Sequence, residues 1–291
     1  MRQPVPDHRM LISFAHPDDE SFGMGGSIAK YAQQGVAISL ICATNGEVGT
    51  VDDTFMQGYD SIAALRLDEL RCAAETLGIQ NVITFGYRDS GMMGTPANDH
   101  PDCLWQADEN VVTGKIVRVM REQRPQVVVT FDPFGGYGHP DHIYMHRATT
   151  RAFHAAGDAS QFPEQLDEGL EPWQPHKLYY NVFPRTRLRL GILMTRLQGQ
   201  DPTQLGKNKD INMLEIARQL KPTHARVLIA PYRAQGDAAS GCHASQLGGI
   251  ASNRVVDFVQ QLIFRHQDFT RAHPAPHNGE HLEHDLFDNV P

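Results

Sequence analysis

Short apolar runs alternate along the first half of the chain with segments in which apolar residues recur every three or four positions. The first pattern is typical of buried strands and the second of helices with one packed face. The predicted strands cover residues 10–15, 36–43, 82–85 and 127–131, and the predicted helices cover 21–34, 62–77, 110–124 and 143–156. This alternation predicts an α/β fold, Rossmann-like, with a mostly parallel sheet and helices on both faces.

The pattern is weaker beyond Gly157. We expect strands at 178–183 and 225–230 and helices at 188–197, 212–220 and 255–266. The interpretation is one domain, 1–291, in which 1–156 form the α/β core and 157–291 form an irregular C-terminal portion that walls a cleft. The last stretch, from about 273, holds four histidines among Pro, Gly and acids, which indicates a flexible, solvated tail more than a metal-binding tract.

Polar residues gather directly after two of the predicted strands. The first strand is followed by His16, Pro17, Asp18, Asp19 and Glu20, and the fourth by the glycine-rich segment 135–142, which ends in His-Pro-Asp-His. Carboxyl ends of parallel strands share one rim of the sheet, where ligands bind. Three acids beside a buried strand concentrate negative charge, which a divalent cation would offset. The alternative is an acidic helix start near Ser21.

The spacing of these residues fits a catalytic metal site. Such a site commonly takes three protein ligands from His, Asp or Glu and leaves one position for water. His16 and Asp19 can supply two ligands, and His142, from the second loop, can supply the third. Asp18 should point elsewhere and stay free as a base. His139 can approach the same pocket without ligating, with Asp141 or another acid to orient it.

Composition narrows the class of protein. A chain of 291 residues with 41% apolar content supports a sizeable core. The net charge of -8, without Lys/Arg clusters, argues against nucleic acid or anionic membrane as a partner. The start of the chain has no apolar h-region and no later run approaches a membrane-spanning length, which favours a cytoplasmic location. The four cysteines show no CxxC pairing; we expect Cys42 and Cys72 in the core and no indicated disulfide.

The two loops resemble those of the zinc-dependent de-N-acetylases of the PIG-L/LmbE type. The resemblance rests on AHPDDE at 15–20 and HPDH at 139–142, with support from 44–46 and from Arg66 and Glu69. Within this family the chain is most similar to the group of mycothiol-biosynthesis deacetylases and mycothiol-conjugate amidases. The residues behind that closer match are YRDSGMMG at 87–94, WQAD at 105–108, the segment 125–142, and His243 with Gln246.

The resemblance implies roles for individual residues. It implies one zinc ion per chain on His16, Asp19 and His142, although His/Asp ligation also admits Fe²⁺ or another divalent ion. It implies that Asp18 is the general base. It further implies that His139 assists as a cationic or acid group oriented by Asp141, and that Tyr137 helps to hold the oxyanion. Finally, it implies that Arg66 and Asp89 contact the sugar; the alternatives are an Arg66 ion pair with Glu69 or Glu47, and an Asp89 that caps a turn.

The expected reaction is hydrolysis of the N-acetyl group of a small amino-sugar glycoside. The group on the anomeric carbon could be an inositol, a malate or a larger thiol conjugate. The sequence also leaves open whether the chain forms a homo-oligomer. The alternatives are an amidase that cleaves a thiol conjugate of glucosaminyl-inositol, and a non-catalytic sugar- or metal-binding module. A free Asp18 argues against the module. A nucleotide-binding enzyme is disfavoured because Gly23, Gly25 and Gly26 do not form G-x-G-x-x-G.

Overall fold

Strands from both halves of the chain pair into one mixed sheet. A computed structural model describes residues 8–206, 209–247, 265–277 and 279–291. The strands are β1 (Arg9–Phe14), β2 (Ala37–Thr44), β3 (Asn81–Tyr87), β4 (Val127–Phe131), β5 (Lys177–Val182), β6 (Ala225–Leu228) and β7 (His266–His273). Their order is β3-β2-β1-β4-β5-β7-β6. Strands β1 to β5 pair in parallel, and β7 runs antiparallel to β5 and β6. The predicted α/β fold with a mostly parallel sheet is confirmed.

The helices form two groups around this sheet. They are α1 (Asp19–Gln33), α2 (Ile62–Leu77), α3 (Glu109–Gln123), α4 (Gly135–Gly138), α5 (Pro140–Ala155), α6 (Glu164–Asp167), α7 (Arg185–Leu197), α8 (Met213–Gln219) and α9 (Arg233–Cys242). Helices α1, α2 and α9 pack against one another, and α3 packs against α5. Because β1 contacts α1 as well as α3 and α5, it lies between the two groups. Within the described residues, no helix has the length and apolar character needed to span a membrane.

Local sequence explains the most regular elements. Helix α2 has the predicted bounds because the Ser61 hydroxyl accepts a hydrogen bond from Ala64 N–H at its start, and Gly78, at φ +79°, ends it in the left-handed region. All five residues of β4 are buried, and so are five of the six in β1. Interior parallel strands are covered on both faces, which favours mostly apolar sequences of this kind.

The strand order places β1 next to β4. From β1 the chain moves to β2 on one side, whereas β4 pairs with the other side of β1. In an open α/β sheet, the loops that leave two such strands diverge and create a crevice at their carboxyl ends. The two polar loops of this chain are the ones that follow β1 and β4, so the topology brings them together.

Some predicted bounds differ from those observed. Helix α1 starts at Asp19 rather than 21, and α5 starts at Pro140 rather than 143. Proline fits the first helical turn, where its missing N–H is not needed, and acids in that turn are favoured by the helix dipole. The polar loops are therefore partly first turns of helices. Of the predicted helix 255–266, residues 255–264 lie outside the described residues, and His266 begins β7 instead.

The chain after β7 returns to the body of the protein. Leu286 is fully buried, and its N–H donates to the Tyr31 hydroxyl at 2.8 Å. Among the described residues, no cluster of potential metal ligands involves the histidines of this last stretch.

The expectation for the cysteines is wrong in one respect. Cys72 is exposed on α2 and forms a disulfide with Cys242 at the end of α9, whereas Cys42 and Cys103 are buried free thiols.

Candidate metal and catalytic site

Three potential ligand atoms converge where the two polar loops meet. His16 Nδ1 lies 3.1 Å from His142 Nε2. The Asp19 carboxylate approaches both rings, with Oδ2 3.5 Å from His16 Nδ1 and Oδ1 3.3 Å from His142 Nε2. Ligands of a tetrahedral zinc ion at about 2.0–2.1 Å would be separated by about 3.3 Å. His16 and His142 have the spacing of ligands around one small cation, and the Asp19 carboxylate reaches both of them through its two oxygens. His139 also offers a ring nitrogen within 4.8 Å of those of His16 and His142.

Each imidazole is oriented by a hydrogen bond on its other nitrogen. His142 Nδ1 lies 3.1 Å from the Gly135 carbonyl oxygen, which can only accept, so Nε2 of this ring is left to face the cluster. His16 Nε2 lies 3.1 Å from Asp141 Oδ2, which leaves Nδ1 to face the cluster. The His142 ring also stacks on Phe131, with centroids 3.9 Å apart. Such partners fix the tautomer and the ring plane of a metal-binding histidine.

The contacts between the histidines and the acids of this cluster also favour the charged forms of His16 and Asp19. Burial disfavours the ionised form of each group, but the charge of Asp89 and hydrogen bonds to Asp141 and Asp19 raise the pKa of His16 above its ordinary value. In the same way, burial opposes ionisation of Asp19, but His142 and His16 hold the pKa of this carboxyl well below its usual range. An ionised carboxylate beside two imidazoles is a donor set that divalent metals accept once the ring nitrogens that face them are unprotonated.

The Asp141 carboxylate orients His16 rather than His139. Its Oδ2 contacts His16 and also accepts from Ser90 N–H at 2.9 Å, while its Oδ1 accepts from the Ser90 hydroxyl. Asp141 is fully buried in the first turn of α5. Its contact with His16 shows that its side chain points across the crevice towards the loop after β1. The expected orientation of His139 by the Asp141 carboxylate is therefore not found.

His139 instead caps helix α5. Its Nδ1 accepts from Asp141 N–H at 3.2 Å, so in the neutral ring Nε2 carries the proton. The nearest acid to that nitrogen is Asp89, at 3.9 Å. Burial and the neighbouring charges of His16 and His142 hold the pKa of His139 well below its ordinary value. His139 thus presents an N–H donor next to the ligand cluster. Tyr137 is close by, with its ring centroid 5.1 Å from that of His142.

Asp18 is held apart from the three convergent ligand atoms. Its backbone has φ +123°, outside the regions that a non-glycine residue readily adopts, which directs its side chain away from that of Asp19. Its Oδ2 accepts from Arg66 Nη2 at 2.9 Å. Burial raises the pKa of Asp18 to about 7, although the Arg66 charge opposes this shift. A carboxylate that titrates near neutrality can accept and return a proton under ordinary conditions.

The two predicted sugar-binding residues lie around the cluster. Arg66 is 2% exposed, and its guanidinium donates to the carbonyl groups of Pro17 and Gly46 as well as to Asp18. Its ion-pair partner is thus Asp18, not the Glu69 or Glu47 considered from the sequence. Asp89 Oδ1 accepts from Gly91 N–H at 2.8 Å, which is the turn-capping geometry, and also lies 3.5 Å from His16 Nε2.

Several residues of the site were missed by the sequence analysis. Ser90 holds Asp141, and Asp132 Oδ1 accepts from Phe134 N–H and Gly136 N–H at 3.0 Å, which shapes the loop after β4. Glu20 contacts His243, 223 positions away. Asp132 could have been found as the first polar residue after an apolar strand. Ser90 and His243 lie in segments that carry the closer resemblance, but nothing in the local pattern indicates that they contact Asp141 and Glu20.

The glycines of α1 serve helix packing. A Cβ atom on Gly25 would lie 3.1 Å from Gly236 Cα, and one on Gly26 would lie 2.9 Å from the Ile229 side chain. These glycines therefore permit the close approach of α9 and the preceding turn to α1. This placement provides a structural reason for them that requires no nucleotide.

Comparison with known proteins agrees with the geometry. Residues 11–153 match the model of the PIG-L family, described as GlcNAc-PI de-N-acetylase. The chain is 44% identical over 295 residues to a protein of Streptomyces scabiei named 1D-myo-inositol 2-acetamido-2-deoxy-alpha-D-glucopyranoside deacetylase, covering 98% of this chain and 90% of the relative. A Thermobifida fusca protein of the same name is 36% identical over 294 residues, covering 97% and 99%.

A solved structure shares the fold. The N,N'-diacetylchitobiose deacetylase of Pyrococcus horikoshii superposes with a TM-score of 0.62 at 20% identity, covering 90% of this chain and 83% of that one. At this identity the likeness supports the fold alone, whereas the full-length relatives support the family. The chain belongs to the PIG-L, or GlcNAc-PI de-N-acetylase, family, and it is a hydrolytic deacetylase.

Proposed function

We propose that this enzyme removes the N-acetyl group from 1D-myo-inositol 2-acetamido-2-deoxy-α-D-glucopyranoside, the substrate named for its relatives. The observation that carries the proposal is the presence of a separate carboxylate, Asp18, beside three convergent ligand atoms from His16, Asp19 and His142. A binding module needs the ligands but has no use for a proton acceptor next to them.

The donor set supports zinc as the metal, with one ion per chain. Two imidazole nitrogens and one carboxylate form an open three-ligand arrangement of the kind that catalytic zinc prefers, and Fe²⁺ is the alternative that the same ligands accept. When bound, the cation would polarise the amide carbonyl and lower the pKa of coordinated water towards about 7. We infer these properties from the ligand atoms and their spacing.

The surrounding residues would divide the remaining work of amide hydrolysis. Asp18 would accept a proton from the attacking water. The Tyr137 hydroxyl and the His139 Nε2–H would donate hydrogen bonds to the oxygen on which negative charge develops. The proton taken up by Asp18 would then reach the leaving amine, either directly or with the help of His139. Asp141, through His16, would keep a ligand in place rather than act on the substrate.

Asp89 would contact the acetamido sugar directly, whereas Arg66 would act on it mainly through Asp18. Asp89 is 6% exposed and has one oxygen engaged with Gly91, which leaves acceptor capacity for a sugar hydroxyl. Arg66 would act mainly by holding Asp18, because its donors are directed at Asp18 and two carbonyl groups.

We also propose a cytoplasmic location for this enzyme and a single domain over residues 1–291. The single domain is supported by the sheet, which contains strands from both halves of the chain.

A polar cavity beside the site supports an inositol on the anomeric carbon. The cavity has a volume of about 550 Å³, and its lining includes Glu47, Tyr87, Arg88 and His100. Glu47 connects it to the site because its Oε2 accepts from Asp89 N–H at 3.1 Å. Arg88 Nε is buried without a hydrogen-bond partner among the described residues. Hydroxyls of a cyclitol could satisfy such groups.

The direct test measures metal and turnover on the same preparations. Wild type loaded with about one zinc per chain should release acetate from the inositol glycoside. His16→Ala, Asp19→Ala and His142→Ala should each bind zinc much more weakly, because each removes one of three ligands. The Asp237→Ala variant, which changes an exposed carboxylate on α9, is the matched control and should keep metal and rate. Unchanged metal content in all three ligand variants would contradict the assigned site.

The Arg88→Ala variant tests the choice of aglycone. If Arg88 binds the inositol ring, its removal should raise KM for the inositol glycoside by about 10-fold or more, since a hydrogen bond to a charged group contributes roughly 1.5–3 kcal/mol. The rate on N-acetylglucosamine, which lacks the inositol, should change little. Asp89→Ala should instead reduce kcat/KM on both substrates. An equal effect of Arg88→Ala on both substrates would exclude the cavity as the inositol site.

A further inference from the structure

We propose that His243 is a positioning residue for the deacetylation: it holds the Glu20 carboxylate, which in turn holds the backbone of Asp18. This inference rests on the function proposed above. His243 Nε2 lies 2.7 Å from Glu20 Oε1, and both side chains are 0% exposed. The other Glu20 oxygen, Oε2, accepts from Asp18 N–H at 3.1 Å. One carboxylate thus links the C-terminal part of the chain to the residue that would accept the proton.

The Asp18 backbone needs this support. A non-glycine residue at φ +123° is in a sparsely populated conformation that persists only when the surrounding structure imposes it. The hydrogen bond from Asp18 N–H to Glu20 acts on the backbone, and the Arg66 contacts act on the Pro17 carbonyl and the Asp18 carboxylate. The Pro17 carbonyl and the Asp18 N–H belong to one peptide group, so Arg66 and Glu20 hold its two polar atoms.

Glu20 can hold the Asp18 backbone in this way only while a neighbouring cation balances its negative charge. A buried carboxylate without a partner is strongly unfavourable, so removal of its cation would favour rearrangement of the turn. Burial opposes protonation of His243, but the hydrogen bond and charge of Glu20 raise the pKa of this imidazole. Ser21 is the only other side chain seen donating to Glu20 among the described residues, at 2.5 Å, and it supplies no charge.

The fold delivers His243 to Glu20 with little freedom. The glycine contact between Gly25 and Gly236 lets α9 pack closely on α1. Directly before His243, Cys242 is bonded to Cys72 of α2. Two residues after it, Ser245 donates from N–H and Oγ to Glu69, also on α2, at 2.9 and 2.8 Å. His243 is thus anchored on both sides. It would act on the reaction through Glu20 rather than by contact with the substrate.

The test compares two substitutions at His243. His243→Ala should lower kcat by about 10- to 100-fold, which is the range expected when a reacting group is displaced by about 1 Å. KM and zinc content should stay near wild type. His243→Gln keeps an N–H donor near the Nε2 position but supplies no charge, so its kcat should lie between those of His243→Ala and wild type. In a Glu20→Gln background, His243→Ala should cause a much smaller further loss, because the two residues act through one contact.

A second buried ion pair provides the matched control. Lys177 and Glu283 are also 2.7 Å apart and buried, but they contact none of the proposed catalytic residues. Lys177→Met should lower thermal stability without lowering kcat per metal-loaded chain. The inference fails if His243→Ala retains the wild-type kcat, or if His243→Gln is no better than His243→Ala. Absence of turnover in zinc-loaded wild type would instead overturn the proposed function, so the two failures are distinguishable.

Discussion

Two adjacent carboxylates in this site have opposite properties, and the difference comes from their surroundings. Asp19 Oδ2 accepts from the backbone N–H of His16 at 2.7 Å. The carboxylate also faces the imidazoles of His142 and His16, which keep its pKa low. Asp18 is turned away by its unusual backbone, and burial raises its pKa to about 7. Neighbouring acids whose environments drive their pKa values apart commonly take different roles in a reaction. The sequence predicted this division from position alone; the physical cause required the structure.

Replacement of Asp18 by Asn separates these two roles. The amide keeps the size of the side chain but cannot accept a proton, so hydrolysis should fall by at least about 100-fold, the usual cost of removing a general base. Zinc content should remain near wild type because Asp18 is not among the three proposed ligands. Metal analysis and acetate release on one preparation measure both quantities. Loss of zinc from Asp18→Asn would make Asp18 a ligand, and a normal rate would place the base elsewhere.

The pH dependence of the rate provides a second test of Asp18 as the general base. The base must be ionised, and its pKa is raised to about 7 by burial, against the opposing charge of Arg66. Wild-type kcat should therefore fall as the pH drops through the Asp18 pKa. The midpoint should be at or below about 7, because a bound cation favours the ionised form. The residual rate of Asp18→Asn should lack this acidic limb.

Among the elements, those buried on both faces could be predicted from sequence. Strands β1 and β4 are mostly apolar, interrupted only by Ser13 and Thr130 after the initial Arg9. The polar residues that follow the two strands lie on one rim because parallel strands share an orientation. That rule was sufficient to group His16, Asp19 and His142. It could not show that Asp141 turns to His16, since the direction of a side chain in the first turn of α5 depends on where the helix starts.

Contacts between distant elements were beyond the sequence pattern. Strand β7, whose sequence HQDFTRAH mixes polar and apolar residues, joins the sheet between β5 and β6. Helix α9 meets α1 at a pair of glycines separated by 211 positions, 236 minus 25. Neither feature produces a local periodicity that differs from an ordinary loop or surface helix. The Glu20 partner could therefore be found only from the folded arrangement.

At the scale of the whole molecule, the C-terminal portion completes the enzyme rather than only covering it. Its strands β5, β7 and β6 extend the sheet beyond β4, and α9 brings His243 behind the loop after β1. The Cys72–Cys242 disulfide fastens this portion to α2 across a sequence separation of 170 residues. A cross-link over so long a stretch restricts the unfolded chain strongly and should contribute to global stability.

Removal of this disulfide should lower the free energy of unfolding by roughly 2–4 kcal/mol, the typical range for disulfides. Denaturant titration of oxidised wild type, reduced wild type and Cys72→Ser measures the effect. Reduced wild type and Cys72→Ser should unfold at similar concentrations, both below oxidised wild type. Thiol titration of the unfolded oxidised chain should find only Cys42 and Cys103 free. If that titration confirms the bond but all three midpoints coincide, the disulfide does not stabilise the fold. Because Cys72 is exposed, a reducing compartment would open the bond readily, and the reduced midpoint would then describe the enzyme at work.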